Sequence, residues 1–183
     1  CCIVFNGEVY NHADLKRQLS DIDFKGHSDT ETLLYALKRY GIESVADFNG
    51  IFAFAFIDLD KKKLFLARDP FGVKPLYYWQ SNGRFVFSYE FKPVLKLADT
   101  SFCKENMAEL LRMRYLPAPD TLYSGIRKVR PGHFLEIDLA KDDIHVSERS
   151  YIKSIPKKTE LSYNDAMDEY GRLFEQAVQR QLM

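Results

Sequence analysis

Four features of the 183-residue sequence carry residue types that could do chemistry. The first is the cysteine at position 1. A free α-amine has a pKa of about 8, so a chain-initial cysteine can relay its own thiol proton and attack a carbonyl as thiolate. The plainer reading is that residue 1 is only where the sequence starts. The second is Asn6-Gly7-Glu8. At a strand end, Asn6 and Gly7 can aim a side-chain amide and a backbone N–H at one point, as a developing oxyanion requires. A strand-ending turn is the structural alternative. The third is Asp29, which can accept from a substrate ammonium or simply offset a helix dipole in a first turn. The fourth is Arg68-Asp-Pro-Phe-Gly-Val-Lys-Pro-Leu-Tyr-Tyr78. There Pro70 and Gly72 favour a structural role, with Arg68 and Asp69 pairing or bracing a turn.

The elements that must position these residues follow from patterning. Residues 2–5 read as a buried strand running into a turn or bulge at Asn6-Gly7. Asn11, with Asp14 three residues on, opens a short helix to about Leu19. Ser28 and Glu31 form a capping-box pattern ahead of Leu33, Leu34, Leu37 and Tyr40, and Gly41 supplies the stop. In residues 51–57, Phe52, Phe54 and Phe56 share one face, while Ile51, Ala53, Ala55 and Ile57 share the other. Such a strand is covered on both sides. Residues 64–67 return as its neighbour, and strands at 76–79 and 85–88 flank the Asn82-Gly83 hairpin signal. Residues 92–116 read as helical, around Met107, Leu110, Leu111 and Tyr115, until Pro117. Two short strands are expected within 122–138. Residues 140–160 are polar and Lys-rich and read as a connector. Ser162 then caps a final helix with a stripe of Met167, Tyr170, Leu173, Phe174, Ala177, Val178 and Leu182. Helices ahead of a run of antiparallel strands indicate an α+β fold.

Composition narrows the function. Hydrophobic residues make up 46% of the chain and aromatics 14%, which suffices for a sizeable core and excludes a disordered chain. The 26 basic and 26 acidic residues cancel, which argues against non-specific nucleic-acid binding. No run reaches the roughly 18 apolar residues of a membrane span, and polar residues interrupt the start, so neither a membrane segment nor a signal peptide is expected. Three cysteines, an odd number in a chain of this size, suggest a reducing, cytoplasmic setting. With no CxxC and no His-x-x-x-His, metal ligation has no support. Cys103 reads as a packing thiol. The four histidines are scattered without catalytic partners.

Taken together, Phe5-Asn-Gly-Glu-Val-Tyr-Asn-His12, Ser28-Asp-Thr-Glu31, Leu66-Ala-Arg-Asp-Pro-Phe-Gly-Val-Lys-Pro-Leu-Tyr-Tyr78, Pro117-Ala-Pro-Asp-Thr121 and Pro131-Gly-His133 resemble the glutamine-hydrolysing asparagine synthetases. These are class II amidotransferases with an N-terminal-nucleophile domain. The resemblance implies a four-layer αββα sandwich of two antiparallel sheets, here incomplete. It places a glutaminase domain at 1–139, the connector at 140–160, and the first helix of a following synthetase domain at 161–183. Asn6 and Gly7 match the oxyanion-hole pair. Glu8 and Asp29 match residues around the glutamine α-amino group. The implied reaction is cysteine attack on L-glutamine, with ammonia passed through a tunnel to an aspartate activated by ATP. The resemblance also admits a homodimer.

Two departures qualify what the resemblance implies. Family members begin Cys-Gly-Ile, with a long segment before Asn-Gly-Glu. Here an extended chain puts Cys1 roughly 16 Å from Asn6, whereas a nucleophile must sit about 3 Å from the reacting carbon. Cys1 is therefore the expected nucleophile only if a segment is missing after it, and the chain reads as truncated at both ends. Secondly, the family's Ser-Gly-Gly-x-Asp-Ser pyrophosphate loop is absent from the sequence, and no other glycine-rich phosphate loop replaces it. ATP and Mg2+ thus belong to the synthetase domain, and no cofactor is expected in these residues. A smaller departure is Phe87-Ser-Tyr-Glu-Phe-Lys92, where the family has Ser directly before Glu. Two alternatives stay open. One is an amidotransferase for another carboxylate, such as a sugar acid. The other is a catalytically inert remnant that keeps the fold.

Overall fold

The computed structural model describes residues 1–81, 83–141, 143–153 and 160–182. Among these residues, eight strands form two antiparallel sheets. The larger contains β1 (Cys2–Val9), β2 (Gly50–Asp58), β3 (Lys63–Arg68), β7 (His133–Asp138) and β8 (Val146–Ser150), in the order β1-β2-β3-β7-β8. The smaller contains β4 (Tyr77–Ser81), β5 (Arg84–Ser88) and β6 (Ile126–Lys128), in the order β5-β4-β6.

Strand β2 shows why the sheets stack. Phe52, Phe54 and Phe56 face one way and join Leu33, Leu37, Val45 and Phe134 in a core cluster under the helices. Full burial of each such ring contributes about 1.5–3 kcal/mol. Ala53 and Ala55 face the other way and meet Leu76, Tyr78 and Val129 from the smaller sheet and its flanks. Small residues here let the two sheets approach closely. The helical cover consists of α1 (His12–Gln18), α2 (Asp29–Tyr40) and a 3-10 turn at Ile42–Asp47. On the outer face of the smaller sheet, α3 (Phe91–Leu97) packs Val94 against Trp79 and Ile126. Two further helices are α4 (Lys104–Met113) and α5 (Tyr163–Gln181). Among the described residues, no helix is long and apolar enough to cross a membrane.

Helix α2 forms as its sequence dictates. The Ser28 hydroxyl accepts from the Glu31 N–H at 3.3 Å, and the Gly41 N–H closes the far end onto Leu37 O at 2.9 Å. The expected reciprocal bond from Glu31 is replaced. Its carboxylate takes the N–H groups of Lys25 and Gly26 at 2.9 and 2.8 Å, pinning the loop that enters the helix. These bonds, led by that from Lys25, hold the Glu31 carboxyl below its ordinary pKa.

Four expectations need correction. Asn6-Gly7 is not a turn: β1 runs through both residues in continuous register, with Asn6 opposite Ala53 and Gly7 opposite Phe52. Nor is β1 a buried strand. It is an edge strand, and Val4 is 62% exposed. The single helix over 92–116 is two helices, because residues 101–103 pair back onto 122–124 through Ser124 N–H to Ser101 O (2.9 Å) and Cys103 N–H to Leu122 O (2.8 Å). Asp99, Thr100 and Ser101 are weak helix formers, so this pairing wins. The connector over 140–160 contains β8, which pairs with β7 from His133↔Ser150 to Ile137↔Val146, so the larger sheet continues past residue 139. Its Arg149 is a cross-strand partner, bonding Glu136 of β7 at 2.7 Å. Asn82 of the hairpin signal and residues 154–159 of the connector lie outside the described residues.

Candidate active site at the open edge of the first strand

Strand β1 carries the candidate residues, and β2 and α2 position it. Gly7 is required at its place. It sits at φ +152°, and a Cβ there would lie 2.1 Å from Ile51 O and 2.7 Å from Phe52 Cα. Only glycine lets β1 come this close to β2. At the end of β1, Asn11 fixes the strand's exit. Its side chain donates to Asp47 O at 2.9 Å and accepts from Asn49 N–H at 2.8 Å.

The two edges of β1 differ. The Tyr10 N–H donates to Asn49 O at 2.8 Å, on the β2 side. The Val9 N–H points the opposite way and donates to Asp29 Oδ2 at 3.1 Å. In an antiparallel pair, alternate residues share a direction. The Gly7 N–H therefore points, like that of Val9, to the open edge, where no strand among the described residues pairs with it. Asn6, one residue earlier, turns its side chain into a cleft of about 210 Å3 between the sheets, beside Ala53, Ala55, Leu76 and Phe87. The cleft continues along Ser88 and Tyr89, two residues that the sequence reading singled out only for their altered spacing. The signal that could have placed them here is the non-local one: a five-stranded sheet facing a three-stranded one.

Asp29 reaches the same edge. Its Oδ1 accepts from the Thr30 N–H at 2.6 Å and the Thr30 hydroxyl at 3.2 Å, and its Oδ2 holds Val9. It thus ties α2 to β1, a structural bond that neither the ligand nor the dipole reading anticipated. With Oδ1 doubly engaged, Oδ2 keeps one lone pair for an ammonium. Two residues of strand separate Gly7 from Val9, about 7 Å along the edge. An extended glutamine spans such a distance between its α-amine and its side-chain amide. Glu8, next to Gly7, is exposed.

Cys1 does not join this group. It precedes Cys2, which pairs with Ile57 at the far end of the β1–β2 ladder. There the Cys1 thiol and the carboxylates of Asp58 and Asp60 lie within 4.8 Å of one another. Asp58 is already engaged by the Asp60 and Lys61 N–H groups and by Lys61 Nζ at 3.4 Å. The remaining thiols are also elsewhere: Cys2 is exposed on β1, and Cys103 precedes α4, with its thiol 3.3 Å from Glu105. The structure therefore brings together Asn6, Gly7, Glu8 and Asp29, and separates Cys1 from them.

The 68–78 segment is a brace. Arg68 donates to three carbonyls, those of Lys74, Val129 and Gly72, at 2.7, 2.8 and 2.7 Å. The fully buried Asp69 accepts the N–H groups of Phe71, Val73 and Lys74 at 3.0–3.1 Å. The Asp69 N–H bonds Phe52 O at 2.8 Å, so this loop holds the strand opposite Gly7. The Tyr151 hydroxyl closes the brace on Arg68 O at 2.5 Å, and burial raises its pKa.

Two stacked antiparallel sheets with Asn6, Gly7 and Asp29 gathered at an edge strand describe the fold that is set against known proteins. Over 84% of the chain, the fold matches glutamine phosphoribosylpyrophosphate amidotransferase from B. subtilis, with a TM-score of 0.58 and 22% identity, a likeness of fold. Residues 1–152 match the glutamine amidotransferase domain, and the chain belongs to that family. Its relatives include asparagine synthetase [glutamine-hydrolyzing] 3 of Bacillus subtilis, 34% identical over 186 aligned positions that cover 99% of this chain and 30% of the relative. A putative asparagine synthetase of Methanocaldococcus jannaschii is 35% identical over 147 positions, covering 78% of the chain and 28% of the relative. Amidase chry2 of Gibberella zeae is 33% identical over 134 positions, covering 72% and 20%. The chain thus spans less than a third of the length of these relatives.

Proposed function

We propose that this chain provides the glutamine-binding and oxyanion-stabilising part of a glutamine-dependent asparagine synthetase. The observation that carries the reading is the direction of the Gly7 N–H, to the open edge that Asp29 also reaches. Glutamine lies along that edge, its α-ammonium toward Asp29 and Glu8 and its amide carbonyl at Gly7 and Asn6. A cysteine thiolate attacks the amide carbon. The resulting oxyanion is held by the Gly7 N–H and the Asn6 amide. Ammonia leaves with the relayed proton, and water then hydrolyses the glutamyl thioester to glutamate and free thiol. Cys1 supplies that thiolate only where further chain separates it from Cys2.

The finer architecture belongs to the same proposal. The layers form the αββα sandwich of N-terminal-nucleophile enzymes. Helix α5, none of whose described residues is buried, is the first helix of a synthetase domain. That domain binds ATP, Mg2+ and aspartate and receives the ammonia. The setting is cytoplasmic, and the assembly a homodimer. A second reading keeps the glutaminase chemistry but changes the acceptor carboxylate. It is favoured by the relative named an amidase at 33% identity, close to the 34% of the B. subtilis synthetase.

Asn6→Ala in the complete protein tests the proposal. Loss of one oxyanion donor lowers kcat by about 10²–10³-fold. Glutamine-driven amide formation therefore falls by that factor, while the rate with free ammonia holds. Equal loss of both rates would remove Asn6 from the oxyanion hole.

A further inference from the structure

A second cleft, of about 560 Å3, is bordered by Arg68, Phe71 and Gly72 and shares no lining residue with the cleft at Asn6. Its charged lining is entirely basic: Arg68, Lys128, Arg130 and His133. Arg130 is neutralised by Glu148. His133 has its Nδ1 fixed 2.8 Å from Pro131 O. Arg68 and Lys128 differ from these. Neither forms an ion pair among the described residues, and both are tied only to neutral carbonyls. Lys128 Nζ donates to Leu116 O at 2.6 Å, which uses one of its three N–H bonds. Arg68 is 9% exposed, and its three carbonyl partners leave two of its five N–H bonds. The nearby Asp69 carboxylate is taken by three backbone N–H groups. Burial lowers the Lys128 pKa, and the adjacent Arg68 charge pushes it further the same way. The Asp69 charge offsets this only in part at Arg68, and the Asp120 charge only in part at Lys128, so two desolvated like charges beside an open cavity still favour a further anion.

The rest of the lining specifies what carries the anion. Phe71 is 87% exposed and Tyr115 56% exposed, and both rings line the same cleft. A flat apolar body against these rings removes them from water while its acidic end reaches Lys128 and Arg68. We propose that this cleft binds a small molecule with an oxyanion, phosphate or carboxylate, on a flat apolar body, at a site separate from the open edge of β1.

The test is calorimetric titration of the complete protein at matched ionic strength with inorganic phosphate, phenyl phosphate and benzoate. The proposal expects saturable binding of phenyl phosphate or benzoate, and the tighter of the two identifies the oxyanion. Lys128→Met weakens it by about tenfold or more, whereas Lys128→Arg retains it. Phe71→Ala, at a site too exposed to disturb the fold, weakens phenyl phosphate but leaves inorganic phosphate unchanged. Asn6→Ala has no effect, which separates this site from the glutamine site. Absence of saturable binding by all three probes would overturn the proposal. So would equal affinity in the Phe71→Ala variant, even if Lys128→Met failed to fold.

Discussion

Gly7→Ala is the perturbation whose consequence the structure fixes most tightly. The added Cβ would sit 2.1 Å from Ile51 O and 2.7 Å from Phe52 Cα, both backbone atoms of β2 that no side-chain rotation can move aside. The φ of +152° adds strain for an L side chain. Strain of this kind costs about 1–3 kcal/mol, and forced separation of packed groups costs a further 1–3 kcal/mol or so. Together they amount to about 2–6 kcal/mol, out of a total stability of about 5–15 kcal/mol. For a domain of this length, the thermal midpoint falls by about 5–20 °C. Gly41→Ala is the matched control. Gly41 also has positive φ, +79°, but nothing lies within 4 Å of its Cβ position. Its cost is strain alone, about 1–3 kcal/mol, and its midpoint falls by about 2–12 °C. Circular dichroism melts of the two variants and the parent decide the matter. A Gly7→Ala midpoint no lower than that of Gly41→Ala would refute the close approach of β1 to β2.

Two further outcomes follow from the same geometry. Asp29→Asn keeps an acceptor for the Val9 N–H but loses the charge. It should raise the glutamine KM by about tenfold with kcat little changed; an unchanged KM would reduce Asp29 to its tie between α2 and β1. Asp29→Ala should in addition lower stability by about 1–3 kcal/mol. Glu136 is bonded by Lys63 and Arg149, and the Lys63 bond foremost holds its carboxyl below the ordinary value. A depressed carboxyl stabilises above its unfolded pKa and loses that contribution as pH falls through the folded value. Glu136→Gln should therefore be less stable than the parent at pH 7, by no more than about 1 kcal/mol because both cations are partly exposed. The two melts should converge near pH 3 or so; a constant gap down to that pH would contradict the assignment.

What the sequence disclosed depended on how local each determinant was. Helix α2 was legible because Ser28, the apolar spacing and Gly41 act within one element. The same holds for β2, whose two apolar faces state that it lies between layers. Asn6-Gly7 misled because the dipeptide resembles a turn, whereas its glycine is demanded by a β2 backbone more than 40 positions away. Strand β8 was hidden for a related reason. Val-Ser-Glu-Arg-Ser has almost no alternation, and its charges find their partners outside the segment, Arg149 with Glu136 and Glu43 and Glu148 with Arg130. At the site, residue types suggested Asn6, Gly7 and Asp29. The direction of the Gly7 N–H and the bond from Val9 to Asp29 depend on sheet register, which no single segment contains.

The most direct test of the central claim is a crystal structure of the complete protein carrying a covalent adduct from a glutamine-mimicking electrophile. The account predicts an adduct along the open edge of β1, its carbonyl oxygen about 2.7–3.1 Å from the Gly7 nitrogen and the Asn6 amide, and its ammonium at Asp29. An adduct at the opposite end of β1, beside Asp58 and Asp60, would contradict it.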